Sequence, residues 1–457
     1  MDLFAADDSR PVHFMGIGGA GMSALALLAR RRGARITGCD NDPSGAADLI
    51  ELGVPVETGH AAAHVAGCRA VVVTAAVPAD HPELKAARDA GIPVIARKDA
   101  LAALCAGRET VAVSGTHGKT TTTVMTTEAL IEAGLDPTGL AGGRVPAWGG
   151  NARVGADRLF VVEADEYDQA FLALAPTVAI VNNVEADHLE CYGTVDDLEA
   201  AFVTFASRAR VAVVGVDDPG AARIASRLGN KVVRFGTASE ADARIHDITQ
   251  RPDRTHARVR FRDGGEIGLT LHVPGLHNLR NAVAALLAVD AVGGDLEAAV
   301  TALARFRGVG RRFDRVGTAG GVDVIDDYAH HPTELVATLE AARQAFPGRR
   351  LVAVFQPHLY SRTQLHGDAM GAALAAADLV VVTEVYAARE KVVAGVSGRS
   401  IADAAQAAGS TAHFESDREG LGRSVASHLR PGDVVLTLGA GDITRVGPEL
   451  VGLLQQR

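Results

Sequence analysis

Short apolar runs rich in Val and Ile alternate with longer stretches rich in Ala and Leu along most of the chain. Brief apolar runs bounded by turn residues predict buried strands, and the longer stretches carry helical spacing. Strand followed by helix, repeated, is the pattern of βαβ units and parallel sheets. Three of these transitions are crowded with glycine or polar residues. VHFMGIGGAGMSALALLARRRG (12–33) leads to a second strand, ARITGCD, ending at Asp40. VAVSGTHGKTTTT (111–123) is the second, and GVDVIDDYAHHP (321–332) follows a basic joint, RFRGVGRRFDRV (305–316). They predict an α/β chain of three domains: a Rossmann-like domain over 1–108, a phosphate-loop ATPase-type domain over 109–312, and a Rossmann-like domain over 313–457. No internal repeat is present.

At 457 residues the chain is too long for a single core. The composition is 47% hydrophobic but only 4% aromatic, which suits small residues at helix–sheet contacts. A net charge of −10, without a basic stretch of the kind that marks a nucleic-acid or membrane surface, argues against a nucleic-acid partner. No apolar run approaches the roughly 18–20 residues of a membrane span, and the first residues lack a signal peptide's apolar core. A cytoplasmic protein without membrane insertion is expected. Cys39, Cys68, Cys105 and Cys191 lack CxxC spacing, so reduced thiols are expected rather than a disulfide or zinc framework. The sequence carries no signal for oligomeric state.

In the first transition, Gly16, Gly18, Gly19 and Gly21 let backbone approach a pyrophosphate at a helix N-terminus. Asp40 follows about 20 residues on, where a ribose-binding acid is expected. In the second, the backbone from Gly115 through Thr116, His117, Gly118, Lys119 and Thr120 to Thr121 can form a nest for β- and γ-phosphates. Lys119 adds a charge, and the Thr120 hydroxyl can ligate Mg²⁺. The spacing is G-x-x-G-K-T, with Val113 where the commoner motif has its first glycine. Two nucleotide-like ligands are implied.

LFVVEADEYDQAF (159–171) and IVNNVEADHLECY (180–192) are strands that end in acids, and strand C-terminal ends are where open α/β sheets bind ligands. Glu163 and His188 are the expected metal pair, although Mg²⁺ prefers oxygen to imidazole. Asp168 and Glu190 read equally well as solvated acids. In PGLHNLRNAVAALLAV (274–289), Asn278 and Asn281 share a helical face that could meet a base or ribose, with capping by Asn278 as the alternative. VIDDYAHHPTE (324–334), AVFQPHLYSRT (353–363) and VLTLGAGDI (435–443) again break from strand into polar residues, supplying Tyr328, His330, His358 and Arg362.

Together these stretches resemble the Mur ligase family over essentially the whole chain, with the motifs in order and at matching spacing. The resemblance implies UDP-N-acetylmuramate, L-alanine and ATP as substrates, with Mg²⁺ or Mn²⁺ as cofactor. The first domain would hold the UDP-sugar, through the glycine turn and Asp40, without NAD. In the implied reaction the muramate carboxylate attacks the γ-phosphate, and the amine of L-alanine displaces phosphate from the acyl phosphate through a tetrahedral intermediate. Lys119 falls to the transferred phosphate, Thr120 and Glu163 to one metal ion, and His188 to a second. Tyr328 and His330 fall to the alanine side, and Arg362 to the acyl phosphate or sugar substrate.

Three departures from the family pattern bear on this. No lysine occurs between Lys119 and Lys231, so that segment cannot supply the carbamylated lysine of many sister ligases, and a metal site without one is expected. Leu359 stands where several relatives carry arginine, and Ala75 and Ala76 where relatives often have serines. Within the family the rival is a recycling ligase that attaches a tripeptide, whose first turn usually reads GICGT rather than GIGGAGMS. A folate polyglutamylation ligase would leave the first turn unexplained. A dehydrogenase would explain only that turn, and a nucleotide-sensing module would not need Glu163 with His188.

Overall fold

The computed structural model describes residues 3, 4, 6–388 and 390–456. It is an α/β chain with three sheets. The first sheet contains β1 (Val12–Met15), β2 (Ile36–Asp40), β3 (Val56–Thr58), β4 (Ala70–Val73) and β5 (Val94–Ala96). Its order is β3-β2-β1-β4-β5 and every pairing is parallel. That is the order of a Rossmann sheet. The helix Ala20–Arg31 buries every residue from Met22 to Ala29. A helix that is apolar all round needs cover all round. Here its second cover comes from the next sheet, where Asn151 donates to Ala20 O and Ser23 Oγ, both at 2.8 Å.

The second sheet comprises β6 (Glu109–Ser114), β7 (Thr138–Val145), β8 (Gly150–Arg153), β9 (Leu159–Glu163), β10 (Val178–Val181), β11 (Val211–Gly215), β12 (Val232–Gly236), β13 (Ala243–Arg251), β14 (Arg254–Phe261) and β15 (Glu266–Leu271). The order is β15-β14-β13-β12-β11-β10-β6-β9-β7-β8, with β8 antiparallel to β7. The last three strands occupy a stretch to which sequence analysis assigned no element. The third sheet holds β16 (Asp314–Ala319), β17 (Val322–Asp327), β18 (Leu351–Phe355), β19 (Leu379–Thr383), β20 (Thr411–Glu415) and β21 (Val434–Leu438). It runs β16-β17-β21-β18-β19-β20, with only β16 antiparallel to its neighbour.

The chain divides into two compact units. One runs up to Ile248 and adds Ala257–Thr270 and Leu279–Phe306; the other takes Thr249–His256, Leu271–Asn278 and everything from Arg307 on. The first two sheets thus share a unit, apart from the tip of the β13–β14 hairpin and Leu271. Among the described residues no helix is long and apolar enough to cross a membrane.

Strand order decides which loops meet. In the first sheet β1 lies between β2 and β4, in the second β6 lies between β10 and β9, and in the third β21 lies between β17 and β18. Ligands of open α/β sheets bind beyond the strand ends at such switch points. Apart from 274–281, which follows the edge strand β15, each polar stretch singled out in the sequence leaves one of these central strands or its neighbour.

Candidate active site

At the second switch point the loop after β6 leans on the loop after β10. Thr116 N donates to Asn183 O (3.1 Å) and His117 N to the Asn183 side chain (2.7 Å). The Thr116 hydroxyl accepts from Glu185 N at 2.9 Å. Gly118 takes a left-handed φ of 80°, and a Cβ there would lie 2.7 Å from Asn281 Oδ1. A side chain would therefore be both strained and obstructed. The helix Lys119–Glu132 starts directly after this glycine, with no side chain capping it. Its leading N–H groups and positive dipole end are available to an anion.

Lys119 bends back over the loop. Its ammonium donates to Gly115 O (2.7 Å), Thr116 O (3.2 Å) and both carboxylate oxygens of Glu166 (2.9 Å each). Burial opposes the charge, but Glu166, Asp165 and Glu163 outweigh it and hold the lysine above its ordinary value. Glu166 is almost wholly buried, and the Tyr192 hydroxyl donates to its backbone oxygen. Sequence analysis noted Glu166 in an acidic burst without giving it a role; nothing local distinguishes it from its neighbours.

Glu163 closes β9, directly beside β6. Gly142 N donates to it at 2.6 Å, and a Cβ on Gly142 would lie 2.5 Å from the carboxylate. The glycine makes a cradle in which the acid is held by one backbone donor. His188 lies beyond β10 at a left-handed φ of 54°, beside Glu190 (3.4 Å) and against the Tyr167 ring (5.2 Å). Asp168 and Gln169 share that uncommon backbone region. Strained residues of this kind gather at functional sites. Lys119, Glu163, Asp165, Glu166 and His188 are thus within electrostatic reach of one another, directly or through Glu166. The Thr120 hydroxyl and the Glu163 carboxylate are hard oxygen donors of the kind Mg²⁺ prefers, and the donor set fits that ion or Mn²⁺.

Asn281 reaches the phosphate loop, as its closeness to Gly118 requires. Asn278 is the third residue of its helix, past the N-cap position, and donates to Pro274 O at 2.7 Å. Asp168 pairs with Lys98 at 3.0 Å while its side chain stays largely accessible to solvent, and Glu190 is held below the usual carboxylate range by its hydrogen bond to His188.

At the first switch point Gly16 N and Ile17 N donate to Cys39 O. Asp40, expected to meet a ribose, accepts from Gly18 N through Oδ2 (2.9 Å) and from Asp42 N through Oδ1 (3.0 Å), so one oxygen braces the glycine turn and the other its own loop. Gly19 precedes a helix that no side chain caps. Arg97 lies over the turn, its Nη1 2.6 Å from where a Gly21 Cβ would be, and pairs with Asp165 at 3.5 Å. Nothing in its own stretch of sequence marked Arg97. A cavity of about 240 Å³ opens alongside, lined among others by Thr74, Ala75, Arg88, Arg97, Lys98 and Tyr167. Ala75 therefore offers a methyl where a serine would offer a hydroxyl.

In the second unit the third switch point also gathers its residues. The guanidinium groups of Arg311 (4.9 Å) and Arg312 (5.0 Å) both lie over the Tyr328 ring, and both come from the basic joint that sequence analysis read only as a boundary. His330 packs edge-on to Tyr328 and His358, and the His358 ring stacks on Tyr386. Arg362 is buried and lies 3.3 Å from His358 Nδ1. Leu359, just before the helix Tyr360–Leu374, has a φ of 71°. Asp327, enclosed at the end of β17, is pushed up to about 6 by burial, against the pull of Arg312 and two backbone donors.

A phosphate loop ringed by carboxylates, in one unit with a second glycine turn, defines a phosphate-loop enzyme of the α/β class. The chain belongs to the Mur ligase family: the family's catalytic-domain model matches 11–109, its middle-domain model 113–289, and its glutamate ligase domain model 311–441. A relative from Thermobifida fusca named UDP-N-acetylmuramate–L-alanine ligase is 45% identical over 97% of this chain and 96% of its own. The crystal structure of UDP-N-acetylmuramate-alanine ligase from Thermotoga maritima superposes with a TM-score of 0.85 at 32% identity, covering 98% of this chain and 99% of that one. A murein peptide ligase from Psychrobacter arcticus gives 0.75 at 25% identity, with coverage of 98% and 99%.

Proposed function

We propose that the chain is an ATP-dependent ligase that joins L-alanine to the carboxylate of UDP-N-acetylmuramate and yields ADP and phosphate, acting in the cytoplasm in peptidoglycan synthesis. The observation that carries this reading is the 45% identity to a relative of that name over 97% of the chain, spanning every site described above.

The residues have work that suits this reaction. A carboxylate must approach a triphosphate, so two anions have to be held together. Lys119 can leave Glu166 for phosphate oxygens without changing protonation, while the N–H groups from Gly115 to Thr121 surround the phosphates. Thr120 and Glu163 are assigned to Mg²⁺ or Mn²⁺, and His188 to a second ion; when bound, the metal neutralises charge between the two anions. The muramate oxygen bonds to the γ-phosphorus as the bond to ADP breaks. The alanine nitrogen then adds to the acyl carbon, loses a proton, and phosphate leaves. Gly16, Gly18, Gly19 and Gly21, braced by Asp40 and overlaid by Arg97, are assigned to the sugar nucleotide. Asn278 and Asn281 are assigned to ATP, Tyr328 and His330 to L-alanine, and Arg362 to the acyl phosphate or the sugar substrate. The corresponding regions are 1–108 for the UDP-sugar, 109–312 for ATP and metal, and 313–457 for the amino acid and nucleotide.

Phosphate release from ATP, Mg²⁺ and UDP-N-acetylmuramate, with single amino acids or the stem tripeptide added in turn, tests the reading. A product heavier by one alanyl residue is expected. Release only with the tripeptide would assign the recycling reaction instead.

A further inference from the structure

We propose that the amino-terminal sheet carries a site for a divalent transition-metal ion of the Zn²⁺ class, with His13, Cys39, His64 and Glu83 as its ligands. The four come from separate elements: β1, the end of β2, the helical turn Ala62–Val65, and the first turn of the helix Pro82–Asp89. Glu83 has no exposed surface. Its carboxylate lies 2.7 Å from His64 Nδ1 and 3.2 Å from His60 Nδ1, and accepts from Ala61 N at 3.0 Å. Cys39 Sγ stands 3.5 Å from both Glu83 oxygens, 3.3 Å from His13 Nε2 and 3.2 Å from His60 Nδ1. One ligand atom from each of the four residues lies within 4.8 Å of all the others.

A tetrahedral ion with bonds of about 2.0 Å to nitrogen and oxygen and about 2.3 Å to sulfur sets neighbouring donors roughly 3.3–3.5 Å apart. The sulfur's distances to His13 and Glu83 already have that spacing. Two imidazoles, a thiolate and a carboxylate form a borderline-soft set that favours Zn²⁺ and its Co²⁺ analogue over Mg²⁺. His13 Nδ1 is held at 3.0 Å from the Thr37 hydroxyl, which turns Nε2 toward the sulfur, the kind of support that orients metal ligands. His60 and His81 form a second group around the same Glu83. With His64 they make a partly exposed rim, 18–20% accessible at the side chains, through which an ion can enter.

An ion here would tie β1, β2 and the Glu83 helix together. Cys39 O accepts from Gly16 and Ile17, and Leu84 and Arg88 of that helix line the cavity beside the first glycine turn. The site would therefore fix the floor of the turn. The spacing of these residues matches no short motif, which is why the cysteines read as plain thiols in the sequence.

The test uses the full chain, stripped with a chelator and titrated with Co²⁺. One equivalent should bind with a sulfur-to-cobalt charge-transfer band and tetrahedral d–d absorption, both removed by Zn²⁺, and Zn²⁺ should raise the thermal midpoint. Cys39→Ser should abolish the charge-transfer band, and His64→Asn should weaken binding by about tenfold or more. Because His64 lies on the partly exposed rim rather than in the core, its variant gives a reading even if Cys39→Ser does not fold. Co²⁺ uptake without the band, a band that survives in Cys39→Ser, or full affinity in His64→Asn would overturn the proposal. So would no uptake at micromolar metal, which would leave a hydrogen-bonded cluster only.

Discussion

The first unit builds two glycine turns by the same rule and arms them oppositely. Each follows a strand paired in parallel on both sides, and each opens a helix that no side chain caps. After β1 the braced residue is an acid: Asp40 takes two backbone N–H groups, and the cation, Arg97, comes from another element. After β6 the cation belongs to the turn itself, and the acid, Glu166, comes from another element. Glycine spacing therefore offers room for an anion. The side chains delivered from elsewhere determine how much negative charge the site tolerates and whether chemistry follows. A lysine already paired with a buried carboxylate is poised to exchange it for a transferring phosphate. An arginine laid over a turn suits a diphosphate that is only held.

The largest effect expected from this contrast is at Lys119. Lys119→Ala should lower kcat by about 10²–10⁴ while UDP-sugar affinity stays near normal. An unchanged rate would make the two turns equivalent. Next, Glu163→Ala and His188→Ala should each cost on the order of 10² in turnover. Calorimetry should show the sugar nucleotide still binding, and lost binding would move these residues to the other turn. Arg97→Ala should do the reverse, raising the KM for the UDP-sugar about tenfold, the worth of one charged hydrogen bond, with little change in the KM for ATP.

The smallest expected effect is a flat one, with pH. The folded-state pKa of Lys119 is raised, because the surrounding acids outweigh burial. Its stabilising contribution is therefore complete below the unfolded value of about 10.5 and is lost only as pH rises through the higher folded value. No alkaline decline of kcat assignable to this lysine is expected up to about pH 10, and a decline abolished by Lys119→Arg would contradict the assignment.

What the sequence made legible follows the same division. Turns are local, so Gly16–Gly21 and Gly115–Thr121 could be read from a few adjacent residues, as could the strand ends carrying Glu163 and His188. Partners that arrive across a sheet were not legible. Arg97 and the Arg311–Arg312 pair over Tyr328 carry no local signature, and among four crowded acids only the fold shows that Glu166 is the buried one. Helical period placed Asn278 and Asn281 on one face. It could not show that Asn281 meets Gly118 while Asn278 bonds back to Pro274.

The central claim is that the phosphate loop activates a carboxylate rather than water. UDP-N-acetylmuramate labelled with heavy oxygen in its carboxylate, turned over with ATP and L-alanine, tests it most directly. The account predicts one labelled oxygen in the released phosphate for each alanyl product formed. Phosphate free of label, beside normal product, would contradict the acyl phosphate and the role given to Lys119.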